Sequence, residues 1–383
     1  IINPDLATDW GKVLVQGYKE GGILPKWPLA SSYTGCMVGY PAVSVLADLV
    51  AKDLAEGDMS TWAEAGARSS VYREDLAEKF KGTRELDLIT MHPYYKEKYG
   101  FVPADSVPES VSWGLEMAYE DWCISQIAKK AGNMELANEY AKKAEYYKRY
   151  LDPETKMMRP VMGDGSFRIP FNPRYSSHMK SDYTEGNAFQ WSFFAPHDMD
   201  NFITAIGGKK ELETRLDTLF TTSSQIDGAE ASGDITGLIG QYAHGNEPSH
   251  HMAYLYNWTD SPWKGQGYLD YIMQNFYTNE PDGIIGNEDC GQMSAWYVMS
   301  ALGFYQVSPG IPVYTLGRPM VNKASMYVKG GIFEIVATNN SPANKYVKEV
   351  KLNGKVLETP FISHSDIING GKLEFIMTDQ PVK

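Results

Sequence analysis

From about residue 9 to residue 303 the apolar positions recur mostly at helical spacing. In SVSWGLEMAYEDWCISQIAKKAG, residues 110–132, Val111, Leu115, Ala118 and Trp122 fall on one stripe, and Trp113, Met117, Ile124, Ala128 and Ala131 on the opposite one. A helix apolar on two sides has to be covered on both. Asn133 is placed to cap a second helix, MELANEYAKKAEYYKRYL, so the pair reads as an α-hairpin joined at a Gly-Asn turn. Similar segments recur at 41–55, 60–79, 198–206, 209–220, 249–258, 264–277 and 291–302, joined by short loops rich in Gly, Pro and Asp. The expectation is a mainly α chain, a toroid of paired helices whose loops gather at one end to form a cavity, although no strict repeat is visible.

After Pro309 the period changes. SMYVKGGIFEIVATN, KYVKEVKLNGKVLE and GKLEFIMTD alternate apolar and polar residues, and Asn353-Gly354 is a hairpin signal. Residues 1–309 are therefore expected to form the helical domain and 310–383 a small antiparallel β tail.

Composition narrows the function. A chain of 383 residues with 43% hydrophobic content can bury a large core. A formal charge of -13 repels phosphate backbones and anionic membranes, so nucleic acid is not an expected partner. No apolar run approaches the roughly 20 residues of a membrane span. Three cysteines, Cys36, Cys123 and Cys290, show no zinc or redox spacing. The chain opens IINPDLATDW, with neither an initiator Met nor a signal peptide, and an upstream segment is expected to have been removed. Aromatic residues make up 13% of the chain, many beside polar ones, a mixture that suits pyranose rings and equally suits a large core with amphipathic surface residues.

Three segments could carry chemistry. In YTEGNAFQWSFFAPHD (183–198), Glu185 sits just ahead of Phe189 and Trp191, where apolar walls would keep it protonated as a general acid; the alternative is a Glu closing a helix N-terminus. In QYAHGNEPSHHMAYLYNWTDSPWKGQ (241–266), the histidines lack H-E-x-x-H spacing, and Asn246 and Glu247 offer hard oxygen ligands. There the alternative is capping by Ser249 or Asn246. In DGIIGNEDCGQMSAWYVMSALGFYQVSPG (282–310), Asp289 lies in a loop running into a helix whose N–H groups would favour an ionised carboxylate able to deprotonate water, or which Asp289 merely caps.

Together with GGILPKWPLASSYTGCMVGYPAVSVLADL (21–49) and the 110–132 helix, these segments resemble, in order, the motifs of glycoside hydrolase family 92, the calcium-dependent exo-acting α-mannosidases. The resemblance implies an (α/α)6 barrel, here lacking its first helix or helices, and an N-terminal β-sandwich domain that is absent from this chain. It implies inverting hydrolysis of terminal α-linked mannose on glycans such as N-glycans or mannan, with Glu185 as acid, Asp289 as base and Ca2+ held by Asn246 and Glu247. Trp27, Gln190, Trp191, His244 and Gly245 are the implied sugar contacts, and a secreted, periplasmic or cell-surface location goes with such substrates.

Departures from the family pattern bear on activity. Asn287 stands where relatives carry an acid, so it would orient water rather than assist as a second carboxylate. Gly245 stands where members preferring α-1,2 linkages place Glu, which leaves α-1,2, α-1,3, α-1,4 and α-1,6 open. Tyr40-Pro41 replaces the more frequent Asp-His. The rival readings are another (α/α)6 carbohydrate enzyme, such as an α-glucosidase or disaccharide phosphorylase, and an inactive carbohydrate-binding fragment.

Overall fold

A computed structural model describes residues 1–29, 32–83 and 91–382. Residues 30 and 31 of the early motif lie outside the described residues. The helices follow one another as α1 (Pro4–Gly21), α2 (Ala42–Ala51), α3 (Met59–Ser69), α4 (Glu74–Lys79), α5 (His92–Tyr99), α6 (Ser110–Lys130), α7 (Met134–Lys143), α8 (Ala188–Trp191), α9 (Met199–Ile206), α10 (Lys209–Thr221), α11 (Pro262–Asn275) and α12 (Gln292–Leu302). Most coincide with the segments expected from periodicity. The first begins earlier than the apolar pattern does, because Asn3 Oδ1 accepts from Leu6 N at 3.2 Å and Pro4 opens the helix. The segment 249–258 forms not an α-helix but a 3-10 turn at Met252–Trp258, and the helix after Asn133 tightens to 3-10 at Ala144–Arg149.

α6 is the axis of the first half. It is buried along both expected stripes, with Trp122 and, just past its end, Ala131 half-buried, and packs against α2, α3 and α7. Each of its fully covered large apolar side chains contributes roughly 1.5–3 kcal/mol. Asn133 caps α7 as expected, its Oδ1 accepting from Leu136 N at 3.1 Å. The loop after α12 is pinned back onto α2 and α6: Asp48 Oδ1 accepts from Gln306 Nε2 at 2.7 Å and from Gly310 N at 3.0 Å, while Tyr119 Oη donates to Pro309 O at 2.8 Å. These long-range bonds tie the end of the helical domain back to its first half.

Two short hairpins decorate the loop end, β1 (Pro28–Leu29) with β2 (Ser32–Tyr33) and β3 (Leu238–Ile239) with β4 (Tyr242–Ala243). The tail follows as β5 (Phe304–Tyr305), β6 (Val313–Leu316), β7 (Lys323–Val328), β8 (Gly331–Thr338), β9 (Tyr346–Leu352), β10 (Lys355–Val356), β11 (Phe361–Ser363), the short helix α13 (His364–Ile368) and β12 (Gly371–Thr378). One sheet runs β10-β9-β12-β8-β7 and a smaller one β11-β6-β5. Pairing is antiparallel except between β12 and β8, which run parallel. Alternation buries Phe333, Ile335, Leu373, Phe375 and Met377 in a second core separate from that of the helices. Asn353 and Gly354, with φ of 51° and 80°, make the expected two-residue turn between β9 and β10.

Among the described residues, no helix is long and apolar enough to cross a membrane.

Candidate active site

The loop that ends at α8 is sewn to the start of α6. Glu109 N donates to Ser181 O at 2.7 Å, Val111 N to Asp182 O at 3.0 Å and Thr184 N to Ser112 Oγ at 2.8 Å. On its other side Asn187 caps α8 in a capping box with Gln190. Glu185 is held between these anchors with φ of 46°, a left-handed conformation that non-glycine residues rarely adopt. It is therefore not the residue that closes the helix; Asn187 is.

Glu185 faces a cavity of about 280 Å³ whose walls include Lys26, Trp27, Met37, Pro41, Glu116, Thr184, Trp191, Phe194, Asn246 and Glu247. Trp191 is buried and donates its indole N–H to Thr184 O at 2.8 Å, whereas Trp27 is 56% exposed at the mouth. Asn246 Nδ2 donates both to Glu185 O at 3.1 Å and to Glu185 Oε2 at 3.2 Å. With the nitrogen so engaged, Oδ1 is the end of that amide left to a cation or a hydroxyl.

Carboxylates converge here. Burial pushes Glu185 up to about 7, with the charge of Asp234 adding to it and the Asn246 hydrogen bond opposing it. Glu247 is likewise pushed up to about 7, first by removal from water and then by the charge of Asp289 and a hydrogen bond shared with it. Glu116, half-buried on α6, rises to about 8 through burial and the charge of Glu247. Among the described residues, no hydrogen bond joins Glu185 to Asp289, while Glu247 feels both. Lys26 is buried beneath the wall; its Nζ lies 4.5 Å from the centre of the Trp113 ring and donates to Gly39 O at 2.9 Å, and burial lowers it to about 8.

Several expectations change. Gln190 is not free to meet a sugar: it is buried, its Oε1 accepts from Asn187 N at 2.7 Å and its Nε2 donates to Gln241 O at 2.5 Å. His244 is a core residue, fully buried, with both ring nitrogens 2.8 Å from the hydroxyls of Tyr242 and Tyr277. The carboxylate that satisfies the start of α12 belongs to Glu288, which accepts from Gly291 N at 2.6 Å and Ser294 Oγ at 2.7 Å; Asp289, at φ of 53°, shares a hydrogen bond with Glu247 instead. Asn246 caps nothing with its side chain, and Ser249 Oγ accepts from Ala243 N at 3.1 Å. His250 and His251 are buried and bonded to carbonyls, so the histidine-rich stretch is structural.

Sequence reading passed over Glu116 and Lys26. Their signal was faint: Glu116 and Glu120 interrupt a helix apolar on two sides, one turn apart, and a carboxylate in such a helix faces either a partner or a cavity.

The loop carrying Asn287 and Asp289 lies directly on Gly245. A Cβ on Gly245 would come within 1.9 Å of Thr236 Oγ1, and one on Gly286 within 2.5 Å of Gly245 O. Gly245 N donates to Thr236 O at 3.1 Å, and Asn287 Nδ2 donates to Asp234 Oδ1 at 3.3 Å. The segments 232–236, 244–247 and 286–289 thus meet backbone to backbone.

Residues 1–379 match the Glycosyl hydrolase family 92 catalytic domain. Among solved structures, the chain is similar to a family GH92 alpha-mannosidase of Bacteroides thetaiotaomicron in complex with mannoimidazole, with 38% identity, a TM-score of 0.88 and coverage of 100% of this chain and 49% of that one. It is also similar to a family GH92 inverting mannosidase of the same organism, with 30% identity, a TM-score of 0.85 and coverage of 99% and 51%. Among curated proteins, an uncharacterized secreted glycosidase of Arthroderma benhamiae is 23% identical over 95% of this chain and 48% of its own length. The chain spans about half the length of these relatives. The helical ring, the β tail and the match along almost its whole length agree, and the chain belongs to glycoside hydrolase family 92.

Proposed function

We propose that this chain supplies the catalytic site of a calcium-assisted exo-α-mannosidase that removes terminal α-linked mannose from glycans with inversion. The observation that carries the reading is Glu185: a carboxyl held at about 7, on the wall of a sugar-sized cavity and fixed by Asn246. Such a group keeps its proton below about pH 7 and can pass it to a glycosidic oxygen as the bond breaks.

Asp289 is the base. It sits in an exposed loop and shares a hydrogen bond with Glu247, and its carboxylate would take the proton from the attacking water. Asn287, anchored by its Nδ2 to Asp234, keeps Oδ1 to accept from that same water. Inversion asks for carboxyls roughly 6.5–9.5 Å apart with room for water between them.

Glu247, Glu116 and Asn246 Oδ1 border one cavity and would offer oxygen ligands to a hard divalent cation, although among the described residues no three His, Cys, Asp or Glu side chains already stand together as a metal cluster. Bound there, calcium would grip adjacent sugar hydroxyls and favour ring distortion toward an oxocarbenium-like transition state. Trp27 and Trp191 would offer their faces to the sugar. The barrel of residues 1–309 and the tail of 310–383 would work beside an N-terminal β-sandwich domain, in a secreted, periplasmic or cell-surface protein. Linkage preference stays open among α-1,2, α-1,3, α-1,4 and α-1,6.

The test is hydrolysis of an aryl α-mannoside and of α-mannobioses by the intact protein, with the anomer followed by NMR, before and after chelation with EDTA. The β-anomer should appear first and chelation should abolish turnover. Cleavage untouched by EDTA would overturn the calcium assignment, and an initial α-anomer the inverting one.

A further inference from the structure

Part of the cavity wall is a single loop: Lys26, Trp27, Met37, Val38 and Pro41 all border it, beside Glu116 of α6. A loop that presents a flat ring to a sugar has to be tied down, because ordering it on binding would cost conformational entropy. Its two ends meet at one peptide group. The carbonyl of Gly39 accepts from Lys26 Nζ at 2.9 Å, and the N–H on the other side of the same peptide, that of Tyr40, donates to Glu120 Oε2 at 2.7 Å. Lys26 and Glu120 are both buried.

The peptide lies directly against the carboxyl. A Cβ on Gly39 would stand 2.3 Å from Glu120 Oε2, and Gly39 has φ of 66°, so glycine alone fits there. Deeper in, Tyr40 Oη donates to Asp121 Oδ1 and accepts from Lys96 Nζ at 3.0 Å, which fixes the same residue to α6 a second time. Nearer the mouth, Thr34 Oγ1 donates to Trp27 O at 2.7 Å and accepts from Cys36 N at 3.1 Å. Lys26 and Trp27 are neighbours with opposite fates: the first runs inward over the Trp113 ring to the peptide, and the second stands exposed at the mouth with φ of 49°. Glu120 is one helical turn from Glu116, so the anchor of the loop and the cavity wall share α6.

We propose that Lys26 and Glu120 are positioning residues, a clamp on the Gly39–Tyr40 peptide that holds the 26–41 loop to α6 and thereby sets Trp27 at the angle from which it stacks on the sugar. The proposal rests on the α-mannosidase reading for the identity of that sugar. Neither residue has to touch substrate to act. The bond from an ammonium to a carbonyl is charge-assisted, so its loss loosens the loop more than the loss of a neutral contact would.

The test uses the intact protein and an aryl α-mannoside. Lys26→Met keeps an aliphatic stem over Trp113 and removes the ammonium; KM should rise about five- to tenfold, the worth of a stacked ring, with kcat little changed. Because Lys26 itself borders the cavity, a double-mutant cycle separates positioning from contact. In a Trp27→Ala background Lys26→Met should change KM by less than about twofold, whereas a full second loss would show Lys26 meeting the sugar directly and overturns the proposal. Should Lys26→Met fail to fold, Lys26→Met with Glu120→Gln removes both charges, keeps an acceptor for Tyr40 N and should show the same rise in KM. An unchanged KM in whichever of the two folds also overturns the proposal. Fluorine NMR of protein labelled with 5-fluorotryptophan, the Trp27 line assigned by its loss in Trp27→Phe, gives a reading that needs no turnover. That line should shift or broaden in the same variant, and an unmoved line overturns the clamp. If the line moves but the unchanged protein cleaves no α-mannoside, the clamp stands and the α-mannosidase reading falls.

Discussion

Asn246 holds Glu185 at two points, its Nδ2 lying 3.1 Å from the carbonyl oxygen and 3.2 Å from Oε2 of the same residue. The amide thereby fixes both the backbone and the carboxyl of the acid. Replacing it with a carboxylate, Asn246→Asp, sets oxygen against oxygen at both points. We expect kcat/KM to fall about 10- to 100-fold, the worth of a hydrogen bond to a charged group. Because the present hydrogen bond lowers Glu185, the alkaline limb of the pH profile should also move upward. A rate loss with an unmoved limb would mean that Asn246 acts only on substrate or metal.

The pH profile of the unchanged protein follows from the same residue. Glu185 must carry its proton to act as acid, and burial holds it at about 7. Activity should fall about tenfold per pH unit on the alkaline side of that value. A profile flat to pH 9 would remove Glu185 from the acid role.

Glu185→Gln and Asp289→Asn should each lose at least ~10²-fold in kcat on mannobioses, the scale of lost acid or base catalysis. They should separate on a dinitrophenyl α-mannoside, whose leaving group needs no proton. That substrate should restore much of the rate to Glu185→Gln and little to Asp289→Asn. The opposite pattern would exchange the two roles.

Stability should depend on pH in a direction set by three raised carboxyls. Glu185 and Glu247 at about 7, and Glu116 at about 8, all lie above their ordinary 4.5. A raised acid keeps its full contribution below the unfolded value and loses it as pH climbs through the folded one. Tm without calcium should therefore decline between about pH 4.5 and pH 8. Calcium binds the ionised forms, so the rise in Tm it produces should be larger at pH 8 than at pH 5. A calcium effect that is equal at both would count against these glutamates as its ligands.

Much of the fold was legible because its signals are local. The two apolar stripes of α6, the Asn133 cap and the Asn353-Gly354 turn each depend on neighbours within a few residues, and each is found where expected. The site was legible only in part. Glu185, Asn246 and Glu247 border one cavity, as their chemistry suggested, but Gln190 and His244 turn inward, each with one polar atom bonded to a near neighbour, Asn187 or Tyr242, and another claimed by a partner more than thirty residues away, Gln241 or Tyr277. The same limit applies to Glu288 and Asp289. Adjacent carboxylates before a helix look alike in sequence, and only the backbone path decides that Glu288 takes the helix N–H groups.

One consequence of the left-handed backbone remains. Trp27, Glu185 and Asp289 have φ of 49°, 46° and 53°. Such conformations, outside glycine, cost of order 1–3 kcal/mol each. The chain is thus least comfortable where it is most useful. A directed-evolution campaign scored on heat resistance alone would drift toward glycine or asparagine at 185 and 289, enriching sturdier and silent proteins, so selection for thermal tolerance here has to be coupled to turnover at every round.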